Sequence, residues 1–95
     1  MRVPITTVAD LGLAVRAVRK SGDVRLDDLA ATVGVSKQFT ADVEHGKPTV
    51  QLGLVLKLLE ELGMPLTVDI PETGVVALEA LQKNKLRPLK PRRRA

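Results

Sequence analysis

The stretch that most constrains this chain is Leu29-Ala-Ala-Thr-Val-Gly-Val-Ser-Lys-Gln-Phe-Thr-Ala-Asp-Val-Glu-His-Gly46. Just ahead of it, Leu26 joins Leu29, Ala30 and Val33 at i, i+3, i+4 and i+7, one face of a helix. Gly34 follows where a residue of positive φ ends such a helix. Ser36 then starts a second helix, its hydroxyl placed to accept from an amide two or three residues on. That helix runs to His45 and stops at Gly46, with Pro48 beyond. Two short helices joined through a tight Gly-containing turn form a helix-turn-helix unit.

The flanks predict its supports. Thr7 caps a first helix and Asp10 completes a capping box, and Val8, Leu11, Val15 and Val18 draw an apolar stripe from Val8 to Lys20. Downstream, Thr49 is the expected cap of a helix over 50–62 that is apolar nearly all round, and part of it is expected to face another subunit. Leu66-Thr67-Val68-Asp69-Ile70 alternates with the period of a half-buried strand. A lone strand leaves both edges unpaired. The simplest partner is its own copy, which predicts an intersubunit ribbon about a two-fold axis and hence a homodimer. A short helix is expected over 75–83. The fold class is therefore all-α, four to five helices with one short β-strand. Residues 1–70 are read as the helix-turn-helix domain with its dimerisation strand, and 71–95 as a short helix and flexible basic tail.

Charge narrows the function. Of fifteen Lys and Arg, six lie in 85–95, which holds no acid; the other nine face eleven Asp and Glu, leaving residues 1–84 at −2. Attraction to a polyanion must then come from local placement of cations. The tail admits three readings: a basic arm on phosphates, a segment that orders on a protein partner, or a solubilising end. Cysteine is absent, which excludes disulfides and thiolate metal sites. No run approaches the roughly 20 apolar residues of a membrane span, and no signal-peptide pattern opens the chain, so a cytoplasmic protein is expected. No phosphate loop, nucleophile–base set or metal cluster stands out, so no enzymatic activity and no cofactor are expected. Asp27-Asp28 and Glu60-Glu61 read as solvated edges, and His45 as a surface residue at a helix end.

The second helix of such a unit can enter the DNA major groove, its first turn and outward face meeting base edges. Counted from Ser36, these positions are Lys37, Gln38, Ala41 and Asp42, with Phe39 on the flank and Val35 and Val43 turned inward. Gln38 can bond adenine N6 and N7 together, and Lys37 can reach guanine or a phosphate. Ser36 and the amides beside it suit a phosphate. Phe39 can meet a thymine methyl or fold onto the core, while Asp42 repels phosphate or limits sequence choice. Arg25, Thr40 and Lys47 complete the candidate DNA contacts.

Residues 8–62 resemble the lambda-repressor/Cro-like (Xre) helix-turn-helix family through Leu29-Ala30, Gly34-Val35-Ser36, Val43-Glu44 and Gly46-Lys47. The continuation Gly46-Lys-Pro-Thr-Val-Gln-Leu-Gly53, then Leu56-Lys-Leu-Leu59, resembles antitoxins of the HipB type. The resemblance implies a homodimer on an inverted-repeat operator, with recognition helices about 34 Å apart. It also implies repression of its own operon, a HipA-type kinase toxin as partner, and a salt bridge from Arg19 to Glu44. The chain departs from the family in three places. Arg25-Leu26 stands where members begin the helix with Thr-Gln, Thr40 stands where a branched apolar residue is usual, and Ala41 replaces a polar residue. The rival readings are a stand-alone dimeric repressor and a protein-interaction module without a DNA role.

Overall fold

The computed structural model describes residues 1–84. Five helices follow in order: α1 (Val8–Ser21), α2 (Leu26–Val33), α3 (Lys37–Glu44), α4 (Leu52–Glu61) and α5 (Glu72–Lys83). The class is all-α. The basic segment 85–95, with its three readings, lies outside the described residues.

Side chains cap the starts of two of these helices, α1 and α3. At α1, Thr7 Oγ1 accepts from the Asp10 amide at 3.1 Å while Asp10 Oδ2 accepts from the Thr7 amide at 3.0 Å. Two amides that a helix start would leave unpaired are thus satisfied reciprocally. Gly34 closes α2 in the left-handed region, at φ 86°, where a Cβ would be strained. The chain turns through Val35, and Ser36 Oγ accepts from the Phe39 amide at 2.9 Å to open α3.

Packing is centred on α3, against which both α1 and α2 lie, while α4 packs on α2. Val15, Leu29, Val43, Val55, Leu58 and Leu59 form the buried cluster, with Leu11, Val33, Val35 and Phe39 partly covered around it. The α1–α3 contact is backbone-close. A Cβ at Gly12 would stand 2.7 Å from the Glu44 carbonyl oxygen and would also collide with that of Val43. One step on, a Cβ at Gly46, itself at φ 77°, would meet Ala9 Cα at 2.7 Å. The two glycines let α1 seat directly on the end of α3.

Three sequence expectations are corrected. Thr49 caps nothing: Pro48 and Thr49 lie in a turn closed by the Val50 amide on the Lys47 carbonyl, and α4 begins only at Leu52 after Gln51. Val50 is partly buried against the core, so the chain stays non-helical until that side chain has docked. At the other end, α5 starts at Glu72 behind Pro71, earlier than the apolar spacing indicated, because the fixed φ of proline suits a helix entrance. Finally, Leu66 to Ile70 form no β-ladder, and among the described residues there is no strand. A strand exists by pairing, and a single copy of this chain offers that segment no partner edge.

Candidate nucleic-acid interface

The candidate interface is built on the exposed start of α3. The first amides of a helix have no intrahelical acceptor. Ser36 satisfies that of Phe39, which leaves the Lys37 and Gln38 amides at an open helix end whose partial charge is positive. Ser36, Lys37 and Gln38 are all exposed. This end therefore presents a hydroxyl, an ammonium, a carboxamide and free amides together, a set of donors suited to phosphates and to acceptors on base edges.

Behind these donors the helix is braced. Arg19 Nε donates to Glu44 Oε2 at 2.6 Å and Nη2 donates to Oε1 at 2.9 Å, a bidentate pair with side chains 11% and 5% exposed. The third arm, Nη1, donates to the Val24 carbonyl at 2.8 Å. One guanidinium so links the end of α1, the connection into α2 and the end of α3. The hydrogen bonds to Glu44 hold the Arg19 proton even more firmly than usual.

The other candidate residues divide by position. Thr40 is 0% exposed, and its hydroxyl donates to the Ser36 carbonyl at 3.1 Å, so it belongs to the core and cannot reach a ligand. This corrects its place among the contacts. Its position on α3 faces α1 and α2, and the back-bond to Ser36 is what makes a hydroxyl tolerable there. Phe39 is half-buried and packs against the core. Ala41 and Asp42 are half-buried, whereas Lys47 is exposed.

Arg25 stands at the start of α2, 75% exposed, and makes two 3.1 Å hydrogen bonds to Asp27. Those bonds hold the Asp27 carboxyl below its ordinary value. They also place a counter-charge on the guanidinium that a phosphate contact would have to displace. The sequence reading missed this pair and two contacts of Asp42: Gln38 Nε2 donates to Asp42 Oδ1 at 2.8 Å, and Lys47 Nζ, beyond the end of α3, lies 3.5 Å from Asp42 Oδ2. The four-residue interval between Gln38 and Asp42 is the signal that could have found the Gln38 contact.

Leu66, Thr67, Val68, Asp69 and Ile70 are all exposed. His45 is exposed too, and among the described residues no group of three His, Cys, Asp or Glu could hold a metal ion. Among the same residues no helix is long and apolar enough to cross a membrane.

No family model matches the chain. The chain is 46% identical over 67 residues to the uncharacterized HTH-type transcriptional regulator y4mF of Sinorhizobium fredii (strain NBRC 101917 / NGR234), a match covering 70% of this chain and 88% of the relative. Among solved structures, it superposes on a chain of the HipA-HipB-O2-O3 complex with a TM-score of 0.67 at 20% identity, over 75% of this chain and 100% of that one. The HipB-O4 20mer complex gives the same values. The clp gene regulator ClgR from C. glutamicum matches at a TM-score of 0.56 and 25% identity, over 88% of this chain and 100% of that one.

Proposed function

This chain belongs to the helix-turn-helix transcriptional regulators, and from that premise we propose that it is a DNA-binding repressor of its own operon, acting as the antitoxin of a HipA-type kinase toxin. The observation that carries the reading is the exposed start of α3, with Ser36, Lys37 and Gln38 outward on a helix that Arg19 and Glu44 hold rigid from behind. A rigid, donor-rich helix end is what base reading needs, since both groove entry and register depend on it. The fold shared with HipB chains that were solved with the O4 20mer and with HipA supports the operator and the kinase as partners.

In this reading Lys37 and Gln38 contact base edges, and Ser36 with its neighbouring amides takes a phosphate. Arg25, exposed at the start of α2, is assigned to the flanking backbone. Two copies, joined through residues 66–70, present their α3 helices to successive major grooves about 34 Å apart on an inverted repeat. The kinase surface is a separate one, because α3 is occupied by DNA. No chemistry on a substrate is assigned to the chain itself.

The test is binding of the purified chain to the DNA upstream of its gene, against a scrambled duplex of equal length at physiological salt. A preference of about a thousandfold or more, at two chains per site, is expected. The Lys37→Ala, Gln38→Ala double variant should lose that preference while keeping its helical content. Equal weak binding to both duplexes would move the function to protein interaction. Co-purification with a kinase encoded beside it separates antitoxin from stand-alone repressor.

A further inference from the structure

The outward face of α3 holds a polar cluster whose centre, Asp42, the reading above leaves without a role. Asp42 Oδ1 accepts from Gln38 Nε2 at 2.8 Å, and Oδ2 lies 3.5 Å from Lys47 Nζ. The Asp42 side chain is 24% exposed against 55% for Lys47, so the carboxylate is the sheltered centre of the group. An ionised carboxylate has no hydrogen to give. The Gln38 amide must therefore turn its NH2 group to Asp42 and its Oε1 away. The interval of one helical turn is the spacing at which two side chains of a helix meet.

We propose that Asp42 is a positioning residue for base recognition, one that sets Gln38 with its oxygen outward so that adenine is selected at the base pair beneath it. The inference rests on the DNA-binding reading and deepens it. A fixed Oε1 accepts from a base amino group, adenine N6 or cytosine N4. The second N–H of the same amide remains to meet N7, and adenine alone offers that donor and acceptor side by side. Guanine offers two acceptors, N7 and O6, which would face the Gln38 oxygen and the Asp42 charge behind it. The other half of the device is Lys47. Tethered to Asp42, its ammonium is withheld from phosphates, where a free lysine adds affinity without sequence information. Asp42 thus lowers general affinity and raises discrimination through two different contacts.

The test uses the full chain. A duplex selected from a random pool by the wild type supplies the site, and duplexes carrying each of the four bases at every position are then titrated at several salt concentrations. The wild type should prefer adenine at one position per half-site by roughly ten- to hundredfold. Asp42→Ala should lose most of that preference, bind random duplex more tightly, and steepen the slope of log affinity against log salt by about 0.9 per chain. Asp42→Asn keeps an oxygen for Gln38 but no charge, so it should retain the preference while the slope steepens. Asp42→Ser is too short to reach Gln38 and repeats the test should Asp42→Ala not fold. An adenine preference that survives Asp42→Ala unchanged overturns the positioning role alone. A wild type that selects no site overturns the DNA reading and this inference together.

Discussion

Glu44 is taken out of water at the end of α3, and what compensates its desolvation is the bidentate fork of Arg19, at 2.6 and 2.9 Å. Removing one member of such a pair costs more than removing both, because the remaining charge stays buried without a partner. Arg19→Ala should therefore destabilise the fold by about 3 kcal/mol or more, while Arg19→Met with Glu44→Leu should recover most of the loss. Chemical denaturation of the two variants checks this, and equal costs would mean that the pair is not effectively buried. The double variant should also bind its operator less well than its stability suggests, since the arm to Val24 that steadies the connection into α2 is gone. Little of this was legible residue by residue. Arg19 and Glu44 are 25 positions apart, and nothing in that interval marks a pair; it entered through resemblance to a family. The burial of Thr40 was hidden for a related reason, since a threonine that bonds its own helix is indistinguishable in sequence from one that faces solvent.

Elements were more legible than residues, wherever a periodic stripe ended in a stop or cap residue. The first two helices carried both signals, a 3.6-residue stripe and an end residue in Thr7 with Asp10 or in Gly34, while the third was bounded by Ser36 and Gly46. The fourth was apolar nearly all round with Thr49 read as its cap, and its start was misplaced because Val50 docks before the helix begins. The α1 start yields a pH prediction. Hydrogen bonds from the Thr6 amide and hydroxyl, then from the Thr7 amide, hold the Asp10 carboxyl below its ordinary value of 3.8. A carboxyl with a lowered folded pKa binds its proton more readily in the unfolded chain, so its contribution is present above that ordinary value and fades as pH falls through the folded one. Asp10→Asn should accordingly be less stable than wild type by a constant amount at neutral pH. The two stability curves should begin to draw together below about pH 4, where the carboxyl of the unfolded wild type takes up its proton, and meet once the folded one has done so too. Denaturation midpoints followed from pH 7 to pH 2 would show it; a gap unchanged to the acid end would assign the effect to geometry and not to charge.

At the scale of the whole molecule, a core of seven buried apolar residues among the described ones stands beside an apolar surface that one chain does not cover. Leu66, Val68 and Ile70 are exposed at 48%, 78% and 41%, and in extended chain they share one face. Leu56 and Met64 line a groove beside Leu66, so the apolar segment continues into the end of α4. The alternation over these five residues was readable in sequence, but the segment forms no ladder, since a strand needs a partner edge. Pairing of two such segments would satisfy their backbone edges and cover this face at once, and it would set the spacing of the two α3 helices. If the segments do pair, folding and association are linked, and the thermal midpoint must depend on concentration. A tenfold rise in concentration should lift it by a few degrees. Val68→Asp, which puts a charge in the middle of the apolar face, should sediment as one chain at micromolar concentration, with a midpoint independent of concentration. Its operator affinity should fall steeply, because each half-site must then be bound alone, although α3 is untouched. A wild type that sediments as one chain with the same flat midpoint would remove the ribbon from the account, and the operator would then have to be read by single chains.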